Sequence, residues 1–143
     1  MPAAAIRYFS EDTDFILPHP RKTTRWLKAV ASAEKVDLGE INFVFCSDDY
    51  LLDLNRRYLQ HDYYTDILTF DSGGGEGLLM GDIYISVDRV RDNAKQFGVS
   101  FDEELHRVIV HGVLHLIGYT DTTPAKKKAM KKKEDAYLSL RSF

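Results

Sequence analysis

The chain has 143 residues, a formal net charge of −3, 44% hydrophobic and 12% aromatic side chains, and one cysteine. That is the size of one ordinary domain with enough apolar side chain to build a core, so a chain disordered throughout is excluded. A lone cysteine excludes an internal disulfide framework and fits a reducing compartment.

The opening segment MPAAAIRYFS has no basic start followed by a long apolar run. No stretch approaches the ~18 apolar residues that span a bilayer. The expectation is a single soluble, cytoplasmic domain over residues 1–143, without membrane attachment. The overall charge argues against nucleic-acid binding by bulk electrostatics. Its distribution is uneven: residues 122–143 carry seven basic and two acidic side chains, and residues 1–121 carry twelve and twenty. A polyanion would have to bind locally, on the basic segment.

In chain order, residues 4–9 read as a first strand, and Pro18 and Pro20 break the chain after it. Trp26, Leu27, Val30 and Ala33 recur at helical spacing, which predicts a helix over 21–36. Ile41, Phe43 and Phe45 alternate, which predicts a strand over 40–46. Ser47 with Asp48 and Asp49 is a helix start, since a hydroxyl caps free amides and acids suit the dipole. That helix carries Leu51, Leu52, Leu54 and Tyr58. Residues 66–70 and 82–87 read as strands, with the glycines of 73–77 as the loop or hairpin connection between them. A helix over 88–97 ends at Gly98. Residues 101–117 form the strongest helix, apolar around most of its circumference and therefore central. Gly118 ends it, and Pro124 opens a last helix reaching 140. Helices mixed with about four strands predict an α+β fold with a mixed central sheet.

Two histidines interrupt the apolar helix. His111 and His115 are one turn apart, about 40° around the axis, so their imidazoles can converge on one ion. Gly118 permits a sharp turn, and Asp121 three residues later can fold back with a carboxylate. Two imidazoles and one carboxylate leave a fourth position open on a tetrahedral ion, the layout of a catalytic site. One divalent ion, zinc first, is the cofactor expected; such a site activates water near neutral pH. Asp121 alone also reads as a cap for the helix at Pro124. The metzincin peptidases share this histidine spacing and this glycine, but place a glutamate after the first histidine as general base. Gly112 stands there and cannot take a proton, so peptide hydrolysis by that route is not expected.

The run His111-Gly-Val-Leu-His115-Leu-Ile-Gly118-Tyr119 resembles the signature of the YbeY family of endoribonucleases. Leu54-Asn55 with Tyr58, then Asp62 and Thr65-Asp66-Ile67-Leu68-Thr69-Phe70, resembles a second block, and Gly81 to Ser86 a third. The resemblance implies a zincin-related α+β fold, a hydrolytic metal and a single-stranded RNA substrate. It further implies ribosomal RNA processing, above all maturation of the small-subunit RNA, a role in ribosome quality control, and the small ribosomal subunit as partner. The chain departs from the family twice: Asp121 stands where a third histidine is usual, and Leu59 where an arginine commonly follows the tyrosine. The missing arginine leaves open a second function, a ribosome assembly factor with little or no nuclease activity.

Phosphodiester hydrolysis needs an activated water and cations on the phosphate. Asp66 is the candidate base, with a turn or cap acid as the alternative. Arg57 is the candidate replacement for the missing arginine, although it points about 200° away from position 59 on a helix. Lys127 and Lys131 share a face of the last helix. They read either as a solvated surface or as a phosphate-tracking patch beside the metal.

Overall fold

In the computed structural model the described residues are 5–73 and 78–143. Nine elements follow one another: β1 Ala5–Glu11, α1 Pro20–Ala33, β2 Asp37–Cys46, α2 Asp48–Leu59, β3 Ile67–Asp71, β4 Leu78–Ser86, α3 Val87–Phe97, α4 Phe101–Ile117 and α5 Pro124–Leu138. Four strands form one sheet in the order β1-β2-β4-β3. β1 and β4 run parallel to β2, and β3 closes one edge antiparallel to β4. The expected α+β class with a mixed four-stranded sheet is what the chain adopts.

Strand alternation decides the layers. Ile41, Phe43 and Phe45 of β2 and Ile83 and Ile85 of β4 are essentially solvent-free and meet Leu105, Ile109 and Leu114 of α4. The opposite sheet face holds a smaller cluster of Cys46, Leu51 and Leu68, covered by α2. Helix α4 is therefore the central helix its composition predicts. Gly112 is the reason it lies so close: a Cβ there would stand 2.8 Å from Ile67 Cδ1 and 2.9 Å from Ile83 Cγ2. Such separations are overpacked, so only glycine lets the helix approach the sheet.

Two caps match the sequence reading, whereas α5 is capped by Thr123, whose Oγ1 accepts from Lys126 N at 3.1 Å, and not by Asp121. Ser47 Oγ accepts from the amide of Tyr50 at 3.1 Å, and Gly98 ends α3 at φ 67°. Boundaries shift elsewhere. β4 begins at Leu78 because it pairs with β2 from Asp37 and Leu38 onward. Val87 belongs to α3, not the strand, because Ser86 Oγ caps that helix by accepting from Arg89 N at 3.1 Å. β1 runs on to Glu11, in register with Cys46. The antiparallel pairing of β3 with β4 is that of a hairpin; residues 74–77 of the glycine connection lie outside the described residues.

Candidate metal centre

His111 and His115 occupy the last two turns of α4, with ring centroids 4.6 Å apart. After His115 the helix stops: Gly118 takes φ 124°, and its amide donates to the carbonyls of Leu114 (3.2 Å) and His115 (3.0 Å). A side chain rarely tolerates that φ, so glycine is needed for the reversal. The chain then returns Asp121 to the histidines. His111 Nε2 is 3.7 Å from Asp121 Oδ2, and His115 Nε2 is 3.8 Å from Asp121 Oδ1.

These separations are too long for hydrogen bonds. They lie a little above the edges of a tetrahedron, for which ligand bonds of about 2.0–2.2 Å put neighbouring ligand atoms roughly 3.3–3.6 Å apart, and each imidazole faces a different Asp121 oxygen. One ligand atom from each of the three residues lies within 4.8 Å of the other two, so the donor set fits a divalent ion.

His111 is oriented from behind. Its Nδ1 lies 2.6 Å from Glu134 Oε2 on α5, which directs Nε2 toward Asp121 and His115. Glu134 is only 6% exposed, and its second oxygen accepts from Arg107 at 3.0 Å. Arg107 also binds Asp135 at 2.6 Å, which fastens α4 to α5. A carboxylate behind a ligating imidazole fixes its tautomer and raises its basicity. Burial pushes the His111 imidazole down, but the hydrogen bond and charge of Glu134, with Asp66 and Asp121, carry it above its ordinary value. His115 moves the other way, lowered by burial and by His111.

The turn bearing Asp121 is anchored through Tyr119. Its hydroxyl donates to Glu34 Oε1 at 2.6 Å, while Lys133 Nζ donates to Glu34 Oε2 at 3.0 Å and the Tyr137 hydroxyl bonds the same oxygen. Burial alone would raise the Glu34 carboxyl; these three donors reverse that and lower it. Glu34 thus ties the end of α1 to the turn and to α5.

A cavity of about 600 Å³ adjoins the cluster, and His111, Asp121, Asp66, Lys127, Lys131 and Arg107 are among its lining residues. Asp66 precedes β3; its backbone carbonyl accepts from Ser86 N at 2.9 Å, and its carboxylate receives a long contact from Asn93 at 3.4 Å. Burial raises the Asp66 carboxyl above its ordinary value, partly offset by His111. Asp66 thus shares a cavity with His111 and Asp121, and so do Lys127 and Lys131 on α5.

Arg57 does not join them. It is exposed on α2, paired with Asp53 at 3.1 Å, and it is absent from the cavity wall. No residue of α2 lines the cavity, because that helix covers the opposite face of the sheet, and Arg107 supplies the cavity's guanidinium instead. Asp82 accepts from Asn42 at 3.0 Å within the sheet, and His61 stacks on Tyr63 in an exposed loop. His106 is buried between Trp26 and Phe143, its Nδ1 accepting from Arg141 at 2.6 Å.

Sequence reasoning did not single out Glu34, Glu104, Arg107 or Glu134. Glu134 and His111 lie 23 positions apart on different helices, and Glu34 and Tyr119 lie 85 apart, so no local spacing marks either pair. The available signal was a lone acidic pair, Glu134-Asp135, after six lysines on a helix otherwise facing inward with apolar side chains.

The family profile described as endoribonuclease YbeY matches residues 11–141. Among similar proteins, the endoribonuclease YbeY of Cytophaga hutchinsonii is 50% identical over 143 residues, covering the whole of both chains. That of Bacteroides thetaiotaomicron is 48% identical over 137 residues, covering 96% of this chain and 99% of the relative. The solution structure of TM1509 from Thermotoga maritima superposes with a TM-score of 0.64 at 28% identity, covering 94% of this chain and 87% of that one. The match extends over nearly the full length, and the chain belongs to the endoribonuclease YbeY family.

Proposed function

We propose that the protein is a metal-dependent hydrolase that cleaves single-stranded RNA internally, in the processing of small-subunit ribosomal RNA. The observation that carries this is the His111/His115/Asp121 cluster opening into a cavity shared with Lys127 and Lys131, in a chain of an endoribonuclease family. The cavity wall has five acidic side chains (Asp66, Glu103, Glu104, Asp121, Glu134) against three basic ones (Arg107, Lys127, Lys131). A bound divalent cation would offset that excess of acidic groups.

His111, His115 and Asp121 would hold one divalent ion, and two nitrogen donors with one carboxylate suit zinc. The ion would supply Lewis acidity and an activated water when bound. The chain's own groups do the rest. Glu134 holds the His111 ring in its ligating orientation. Lys127 and Lys131, which make no ion pair among the described residues, attract the RNA backbone. Asp66, with its raised carboxyl, is placed to accept a proton in the cavity. Gly112 faces the sheet and has no part in the chemistry.

The test is cleavage of labelled single-stranded and duplex RNA by the purified chain, before and after chelation and zinc replacement, with elemental analysis alongside. Cleavage of the single strand should vanish with chelator and in Asp121→Ala and His115→Ala. Cleavage that survives those treatments would sink the proposal. Co-sedimentation with small ribosomal subunits by a chain that never cleaves RNA would favour the assembly-factor alternative.

A further inference from the structure

The cavity beside the metal ligands also carries residues that hydrolysis itself does not use. Phe97, the last residue of α3, contributes to the wall although it is 61% exposed. Val99, Val108 and Met130 supply further apolar wall. A large aromatic side chain left open at a cavity is unusual, because burying such a ring is a principal source of folding energy. Set among these groups is Glu104, only 4% exposed, yet with no hydrogen bond or ion pair among the described residues. Its oxygens are not sealed in. The one fully enclosed, unpartnered side-chain atom among the described residues is Asn55 Oδ1, so the Glu104 carboxyl opens onto the cavity. Buried polar groups are ordinarily satisfied, and this one points at space where a ligand can satisfy it.

An aromatic face, apolar walls and one buried hydrogen-bonding group describe a site for a flat, polar-edged ring. Glu104 and its acidic neighbours in the lining, Glu103 and Asp66, disfavour a phosphate against that carboxyl. The phosphates would stay with Lys127 and Lys131. We propose that this part of the cavity is a nucleobase subsite, in which an unpaired base of the RNA stacks on Phe97 and hydrogen-bonds through its edge to Glu104. The proposal rests on the ribonuclease reading above and gives it a reason for strand selectivity. A base in a duplex has its edge paired and its faces stacked, and reaches neither group; single-strand binders use the same aromatic stacking. Burial, reinforced by Asp66, pushes the Glu104 carboxyl up to about 7, so near neutrality it supplies both a donor and an acceptor form.

Binding is measured by fluorescence anisotropy on the chelator-treated full chain, so that RNA stays intact. Two probes of equal length are compared: a single-stranded oligoribonucleotide and its ribose-phosphate counterpart without bases. The wild type should prefer the intact strand by roughly tenfold, the order of one base stacked on an aromatic ring. Phe97→Ala and Glu104→Leu should each lose most of that preference, while Phe97→Trp and Glu104→Gln keep it. Thermal melting establishes that each variant is folded. Equal affinity of the wild type for both probes overturns the subsite, as does a preference unchanged in a folded Phe97→Ala. The metal-restored proteins separate the two readings. If Phe97→Ala cleaves with unchanged KM, the ribonuclease reading stands and the subsite falls. If the wild type never cleaves but keeps a base preference that Phe97→Ala abolishes, the reverse holds.

Discussion

Residue by residue, the candidate metal centre divides into what spacing reveals and what it hides. His111 and His115 were legible because four positions on a helix bring side chains to one face. Asp121 was legible only together with Gly118, whose left-handed turn returns the chain. Glu134 was not legible, because its contact with His111 joins two helices. Glu134→Gln should weaken zinc affinity 10- to 100-fold, the usual cost of losing the group that orients a ligating histidine. Competition titration against a chromophoric chelator checks this; unchanged affinity would mean Glu134 serves only to pair Arg107. Asp121→His should keep a metal, since imidazole also ligates zinc, whereas Asp121→Ala should purify without stoichiometric metal.

At the level of the elements, α4 performs two tasks on its two faces. One face packs on Ile67 and Ile83 through Gly112, and the other presents the histidines. The sequence comparison with peptidases read Gly112 as a missing base. The packing adds that a side chain has no room there at all. Gly112→Glu should therefore produce no peptidase and should destabilise the fold by about 3 kcal/mol or more, from overpacking plus a buried charge. Urea denaturation together with a peptide hydrolysis assay checks both halves. The anchor at Glu34 belongs to this scale too, since it ties α1, the Asp121 turn and α5. Glu34→Gln weakens the bonds from Lys133 and both tyrosines, so amide exchange around residues 118–121 should quicken and zinc affinity should fall. Amide exchange equal to the wild type would show that the turn holds without its anchor.

For the molecule as a whole, two buried titratable groups of α4 pull stability in opposite directions with pH. His106 is depressed to about 4 by burial and by Arg141. Above its unfolded value of 6.5 it costs nothing. As pH falls from there toward 4 the unfolded chain takes up a proton that the folded chain refuses, so stability is lost. Glu104 is raised to about 7 from 4.5. As pH climbs through that window the unfolded chain releases a proton that the folded chain retains, so stability is lost on the alkaline side. In the metal-free wild type these two contributions should therefore offset each other over the shared interval. Glu104→Gln should remove the alkaline loss and gain about 1–2 kcal/mol at pH 8, allowing for partial solvent access. His106→Asn should leave a stability that falls steadily with rising pH. Urea midpoints across the pH range check this, and parallel profiles for all three proteins would contradict it.

Readable along the chain were the elements, the mixed sheet, the family and the two histidines on one helical face. Each of these is written in local periodicity, capping residues or contiguous motifs. The tertiary structure alone decided which distant groups serve those histidines. Arg57 stands apart because α2 covers the opposite face of the sheet, while Glu134, Arg107 and Glu34 entered through packing between helices. Contacts between elements depend on how faces are brought together across the core, and no spacing along the chain encodes that. Asp66 and Lys127, far apart in sequence, share one cavity wall only because β3, α4 and α5 converge there.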